Sequence, residues 1–167
     1  MKKMTEGNLK DAFAGESQAH MKYMAFADAA EKEKFANVAR LFRANSYAEQ
    51  VHATNHLRVL DGIGKTSANL QAAVDGESFE VEEMYPAYIK VAEDQGEKTA
   101  LMMFFRAMEA EKVHAGLYKR AKEVVDKGKD LGFFSVHVCS NCGFTMEGEA
   151  PDKCPICGVP KEKFVKF

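Results

Sequence analysis

The stretch Ala48-Glu49-Gln50-Val51-His52-Ala53 recurs 62 residues later as Ala110-Glu111-Lys112-Val113-His114-Ala115. At the same offset Phe42 matches Phe104, and Ala30-Glu31 matches Ala92-Glu93. One Glu-x-x-His can arise by chance, but two within a shared frame are typical of an internal repeat. Two related helical hairpins would produce this register.

Helical composition surrounds both copies of the motif. Residues 5–126 are rich in Ala, Glu, Lys, Met and Leu and contain a single proline, Pro86. Apolar residues at helical spacing predict four segments, which are 5–31, 34–61, 77–95 and 97–126. Residues 61–76 would form one long crossover between two short-turned hairpins, so we expect an all-α, ferritin-like four-helix bundle. We expect Pro86 to kink the third helix rather than to begin it.

Composition and charge exclude several classes of partner. The 167 residues carry a formal net charge of −2 with both signs interspersed, and there is no basic stripe for nucleic acid. The N-terminus turns polar at once, so no signal-peptide core follows. The longest strongly apolar run, Leu101 to Phe105, is far shorter than the roughly 20 residues that span a bilayer. We therefore expect a soluble, cytoplasmic protein without a nucleic-acid or membrane partner.

The two Glu-x-x-His motifs are candidate metal ligands. Residues three apart share a helix face, so Glu49 with His52, and Glu111 with His114, can each hold one metal. Both pairs lie on apolar stripes, where ionised carboxylates are costly unless they are paired or bound to cations. The other helices offer further carboxylates, namely Glu16 in the first and Glu80 with Glu83 in the third. Carboxylate-rich ligation favours iron or manganese over zinc.

All four cysteines lie in the last 29 residues, in two Cys-x-x-Cys pairs. The pairs read Cys139-Ser140-Asn141-Cys142-Gly143 and Cys154-Pro155-Ile156-Cys157-Gly158. Four thiolates form a tetrahedral site for either zinc or a single iron, and a segment this short needs the metal to fold. We predict a boundary between a diiron domain at 1–130 and a small metal domain at 133–167. The redox-type cysteine site favours iron in the bundle.

The motifs resemble, in order and over the whole chain, those of the rubrerythrin family. They are Gly15-Glu16-Ser17-Gln18-Ala19, Glu49-x-x-His52, Glu80-x-x-Glu83-Met84-Tyr85-Pro86, Glu111-x-x-His114 and the rubredoxin-like cysteine pairs. The resemblance implies a non-haem diiron peroxidase that reduces hydrogen peroxide to water in oxidative-stress defence. Its cofactors would be a carboxylate-bridged diiron centre and one iron bound by Cys139, Cys142, Cys154 and Cys157.

The resemblance also implies ligand roles. Glu16, Glu49, Glu83, Glu111 and His114 would bind the two irons, with Glu49 and Glu111 as bridges and Glu80 as a terminal carboxylate. His52 would be a redox-dependent ligand that exchanges with Glu83. Tyr23, on the same face as Glu16, either donates a hydrogen bond in the site or serves as a core aromatic. His20 and His56 are interpreted as supporting or core residues rather than ligands.

Partners implied by the family are a rubredoxin or similar electron donor, an NAD(P)H-dependent reductase and a second copy of the chain. The short connection at Glu33-Lys34 raises the hypothesis that hairpins are exchanged between subunits. Two alternatives remain open from the sequence. One is a ferritin-like protein that oxidises and handles iron. The other is an electron-transfer or metal-binding module with zinc in the four-cysteine site of residues 133–167, which is called the tail below.

Overall fold

The computed structural model describes residues 1–132 and 134–167, and within them four long helices precede a small three-stranded sheet. The predicted fold class, a ferritin-like set of four helices followed by a rubredoxin-like domain, is confirmed. The third helix is one continuous rod with a π-helical turn inside it. The helical elements are α1 (Lys3–Lys32), α2 (Ala36–Val59), α3 (Thr66–Phe79), the π turn (Glu80–Met84), α4 (Tyr85–Asp94) and α5 (Lys98–Val125).

The chain forms two compact units, Met1–Gly64 and Lys65–Phe167. In the first unit α1 packs along α2, and in the second unit α3, the π turn and α4 pack along α5. Alanines dominate the buried positions of both hairpins, for example Ala27 and Ala39 in the first and Ala92 and Ala110 in the second. Small side chains let paired helices approach closely and leave the larger side chains at the hairpin faces.

The long crossover expected at 61–76 is corrected by the structure. Helix α3 begins at Thr66, so the connection from α2 is only residues 60–65. Residues 66–76 are rich in small and polar side chains and include Gly76, which is why their spacing did not indicate a helix. Pro86 lies in the first turn of α4, directly after the π turn, within the continuous third helix.

At Glu33-Lys34, where the sequence raised the hypothesis of hairpins exchanged between subunits, α1 and α2 pair within one chain. Lys34 adopts a left-handed conformation with φ 68°, and the Phe35 N–H donates to the Ala30 carbonyl at 2.8 Å. This is the bond pattern of a Schellman turn, which reverses the chain tightly. The second hairpin repeats it 62 residues later, with Gly96 at φ 71° and the Glu97 N–H donating to the Ala92 carbonyl at 2.9 Å.

Aromatic clusters extend the repeat. In the first hairpin Tyr23, Phe26 and Phe42 pack with ring centroids 5.6–6.3 Å apart. In the second, the rings at the matching positions pack with centroids 5.6–6.4 Å apart, and they belong to Tyr85, Tyr88 and Phe104. The repeat therefore covers turns, cores and motifs of both hairpins.

The small domain is a sheet of order β2-β1-β3, antiparallel throughout, with β1 at Val136–Cys139, β2 at Thr145–Glu147 and β3 at Phe164–Lys166. It contacts α5, and Arg120 of α5 forms an ion pair with Glu147 of β2. Residue 133, where the second domain was predicted to begin, lies outside the described residues, so the boundary near 130–133 stays a prediction.

Among the described residues, no helix combines the length and the apolar character needed to cross a membrane.

Candidate metal centres

The first hairpin brings together Glu16, Glu49 and His52, whose ligand atoms all lie within 4.8 Å of one another. Nδ1 of His52 is 3.2 Å from Oε2 of Glu49 and 3.9 Å from Oε1 of Glu16. Glu49 is largely buried, whereas the His52 side chain is 54% exposed. The two carboxylates and the imidazole form one half of a metal-binding set.

The second hairpin contains a matching group formed by Glu77, Glu111 and His114. Nδ1 of His114 is 2.5 Å from Oε2 of Glu111 and 3.9 Å from Oε1 of Glu77. The two groups therefore share the same distance pattern around Nδ1 of the motif histidine. All three side chains of this second group are largely buried.

Crowding of carboxylates shifts pKa values in both groups. The hydrogen bond between Glu16 and Glu49 raises the pKa of Glu16 and lowers that of Glu49. Burial, followed by the hydrogen bond and charge of Glu111, raises the pKa of Glu77 to about 7. Two adjacent negative charges repel each other, which favours a shared proton within such a pair. Cations remove this repulsion, so both groups fit the donor set of an iron site.

Glu80 and Tyr85 lie beside the second group. Burial and the charge of Glu111 raise the pKa of Glu80, while His114 lowers it. Burial, followed by the charge of Glu80, raises the pKa of Tyr85, and Glu111 and Glu77 add to this effect. Tyr85 is thus a further candidate site residue, which its 62-residue offset from Tyr23 could have indicated.

Glu77, which was not among the residues singled out from the sequence, lies in the second group, and Glu83 does not. Among the described residues, the group around Glu111 and His114 contains Glu77, whereas Glu83 is exposed in the π turn. A π turn bonds i to i+5 and so holds one more residue than an α turn. Glu83, three residues after Glu80, therefore falls off the face that an uninterrupted α-helix would give it.

The π turn also explains why the 62-residue offset between the two hairpins does not hold at Glu77. Glu16 precedes Tyr23 by seven residues, whereas Glu77 precedes Tyr85 by eight. The additional residue lies in the Glu80–Met84 turn. A strict offset of 62 therefore points from Glu16 to Ser78 instead of Glu77, which is why the repeat did not identify this carboxylate.

The remaining predicted residues of the first hairpin have structural surroundings. Tyr23 is half-buried and packs against Phe26 and Phe42. Nδ1 of His20 lies 2.9 Å from Oγ of the fully buried Ser46, and this hydroxyl donates to the His20 carbonyl, which ties α1 to α2. His56 is close enough to Glu16 for its charge to lower the pKa of that carboxyl.

The four cysteines converge in the small domain. Sγ of Cys139 is 3.7 Å from Sγ of Cys157, and Sγ of Cys142 is 3.6 Å from Sγ of Cys154. These separations are far too long for disulfides, whose sulfurs lie about 2.05 Å apart. They match the edge of about 3.8 Å of a tetrahedron whose metal–sulfur bonds are about 2.3 Å. The four thiols therefore fit one tetrahedrally coordinated metal ion.

Glycines and backbone amides shape the two cysteine turns. Gly143 and Gly158 have φ of 80° and 75°, a conformation that favours glycine. The Phe144 N–H donates to the Cys142 sulfur and the Val159 N–H to the Cys157 sulfur. Although burial opposes it, hydrogen bonds from Val159 and Asn141 help to lower the pKa of Cys157 to about 6. Amides directed at sulfur stabilise the thiolate form that binds a metal.

The second hairpin and the small domain meet at His114. Its Nε2 lies 2.8 Å from Oγ1 of Thr145 and 3.2 Å from the carbonyl oxygen of Gly143, which directly follows Cys142. The Nδ1 edge of the imidazole is therefore directed at the carboxylates, and the Nε2 edge is directed at the turn that contains Cys142.

Comparison with known proteins gave two family matches. Residues 7–122 match the model described as rubrerythrin, and residues 137–165 match the model described as the rubredoxin-like domain of rubrerythrin. Together they include both carboxylate–histidine groups and all four cysteines.

Curated relatives and solved structures agree with these matches. The chain is 41% identical to Rubrerythrin-2 of Clostridium acetobutylicum, over 98% of this chain and 97% of the relative. It is 38% identical to nigerythrin of Nitratidesulfovibrio vulgaris, over 96% of this chain and 85% of that protein. Solved structures of nigerythrin in a mixed-valence state and in a fully reduced, all-ferrous state also match this chain. Each match covers 98% of this chain and 86% of the nigerythrin chain, with 37% sequence identity and a TM-score of 0.57.

Proposed function

This chain belongs to the rubrerythrin family, and from that membership we propose that it is a peroxidase that reduces hydrogen peroxide to water. Its cofactors are a carboxylate- and histidine-bound diiron centre and a single iron held by four cysteines. We further propose that electrons enter through the cysteine-bound iron and are used at the diiron centre.

The observation that carries the proposal is the position of His114 between the two kinds of site. This side chain contacts Glu111 through Nδ1 and the Gly143 carbonyl through Nε2. An iron-storage protein has no need of an electron carrier beside its ligand histidine. A peroxidase that must restore its reduced state after each turnover does need one.

The proposed diiron ligands come from both hairpins. They are Glu16, Glu49, Glu77, Glu80, Glu111 and His114, with His52 as a redox-dependent ligand. Glu49 and Glu111 are proposed as the bridging carboxylates. His52 is the most exposed member of the two groups, so it has the most room to approach or leave a metal. Glu83 is not retained in the set, because it lies exposed in the π turn.

When bound, a ferrous pair supplies two electrons together, which allows the O–O bond to break without releasing a radical. The reaction H₂O₂ + 2 H⁺ + 2 e⁻ → 2 H₂O also needs two protons. Burial, followed by the charges of Glu80, Glu111 and Glu77, raises the pKa of Tyr85, so this hydroxyl keeps its proton and can donate a hydrogen bond to peroxide.

Stopped-flow oxidation of the diferrous protein tests the proposal. We expect hydrogen peroxide to oxidise the diiron centre at least about tenfold faster than dioxygen at equal concentration, because the site is proposed to bind both oxygens of peroxide. The tail supplies an internal control, since ferric tetrathiolate is red and a zinc-filled tail is colourless. Faster oxidation by dioxygen, with ferric ion released or stored, would instead establish the iron-handling alternative.

The proposed partners are an electron donor and a second copy of the chain. A rubredoxin-type protein that receives electrons from an NAD(P)H-dependent reductase would reduce the iron of the tail. We also propose a homodimer in which the hairpins are exchanged at residues 60–65, the connection that contains Gly62 and Gly64. Several large apolar side chains are exposed on each hairpin, including Leu41 at 63% and Tyr88 at 47%, and a partner would cover them.

A further inference from the structure

The two nitrogens of the His114 ring have different surroundings. Nδ1 is directed at the carboxylates of Glu111 and Glu77, the group proposed to bind iron. Nε2 is directed at two oxygens of the small domain, the Thr145 hydroxyl and the Gly143 carbonyl. A carbonyl oxygen can only accept, so the proton of the neutral ring belongs on Nε2 and the Nδ1 lone pair is left for a metal.

The single proton of the Thr145 hydroxyl has a defined place. Oγ1 of Thr145 is 3.0 Å from the Gly143 carbonyl oxygen and donates to it. The lone pairs of Oγ1 are then free to accept the His114 Nε2–H, at 2.8 Å compared with 3.2 Å for the carbonyl. The hydroxyl therefore makes the shorter of the two contacts that satisfy the ring proton.

The backbone holds this hydroxyl in position. Thr145 begins β2 and is paired with Val138 of β1, and Glu147 two residues later forms the ion pair with Arg120 of α5. The peptide group that joins Gly143 to Phe144 has its carbonyl directed at His114 and its N–H at the Cys142 sulfur. A continuous chain of bonds and hydrogen bonds thus leads from Cys142 to His114.

We propose that Thr145 is a positioning residue, whose hydroxyl holds His114 in the Nε2–H tautomer and fixes it against the peptide that follows Cys142. Groups that hydrogen-bond the second nitrogen of a ligand histidine fix its tautomer and orientation. The role in electron delivery rests on the proposed function, whereas the hydrogen bond itself does not.

The test uses the iron-loaded full chain and the variant Thr145→Val, which keeps the side-chain shape and removes the hydroxyl. We expect the exchangeable, iron-shifted proton resonance of His114 Nε2–H to exchange with solvent at least about tenfold faster in this variant. We expect electron transfer from the reduced tail iron to the oxidised diiron centre to slow by about tenfold. Thr145→Ser should restore both values.

Thr99→Val is the matched control, because Thr99 is exposed in the first turn of the same helix as His114. It should change neither measurement, and the visible spectrum of the tail should be the same in all variants. Unchanged proton exchange in Thr145→Val would overturn the proposal. If the wild type shows no preference for peroxide but Thr145→Val still accelerates proton exchange, the peroxidase proposal fails and the positioning role stands.

Discussion

At the scale of single residues, the structure groups one glutamate, Glu77, that the sequence did not single out. The Glu-x-x-His motifs were identifiable because their i, i+3 spacing is preserved in a regular α-helix. Glu77 was not identifiable from spacing, because an inserted π turn changes the phase between it and the residues that follow. Local hydrogen-bond register of this kind is not encoded in a periodic pattern of apolar residues.

The difference between Glu77 and Glu83 gives the first prediction. Glu77→Gln should lower the iron content of the diiron centre from about two to about one or fewer per chain, because it removes a buried anionic ligand. Glu83→Gln is the matched change six residues away in an exposed position and should retain both ions. The tail iron, measured by its visible absorption, should persist in both variants. If Glu83→Gln lost iron and Glu77→Gln did not, Glu83 rather than Glu77 would be the ligand.

The raised pKa of Glu77 gives a prediction for the metal-free protein. Its folded-state pKa of about 7 exceeds the ordinary value of 4.5, so the folded state binds more protons between these pH values. The free energy of unfolding should therefore fall as pH rises from about 4.5 to about 7 and level off above. Denaturant titrations of chelated, reduced protein would measure this slope. It should be shallower in Glu77→Gln and unchanged in the exposed-site control Glu82→Gln.

At the scale of elements, the repeat predicted two hairpins but not the full length of the third helix. Residues 66–76 lack a regular apolar stripe, and Gly76 has low helix propensity, so they looked like a crossover. In the structure Val74 is buried, and packing of α3 along α5 stabilises the segment. Tertiary contacts therefore override a weak local preference there.

The two Schellman turns give a prediction at this scale. Lys34 and Gly96 occupy the same left-handed position of their turns, but only glycine adopts it without strain. Lys34→Gly should raise the free energy of unfolding by about 0.5–1 kcal/mol, and Gly96→Ala should lower it by about 1 kcal/mol. Space does not limit the second change, because a Cβ at Gly96 meets nothing within 4 Å. Thermal unfolding should therefore show a higher midpoint temperature for Lys34→Gly and a lower one for Gly96→Ala than for the unchanged protein.

At the scale of the whole molecule, one chain combines a duplicated hairpin with a small iron domain. The duplication and the cysteine spacing made the fold class and the metals predictable, since both depend on motifs local in sequence. How hairpins pair between chains depends on apolar faces and a short connection, which spacing cannot specify. The proposed exchange at residues 60–65 must therefore be tested on the assembled protein.

Complementation between two inactive variants tests the exchange of hairpins. Glu49→Ala disables the first hairpin and Glu111→Ala the second, and each protein alone should lose peroxidase activity because each removes a proposed bridging ligand. When the two are unfolded, mixed and refolded with iron, exchanged dimers unite one intact first hairpin with one intact second hairpin. Random pairing then restores about a quarter of the wild-type sites. If each chain builds its site from its own two hairpins, every site keeps one defect, and the mixture should stay as inactive as its components.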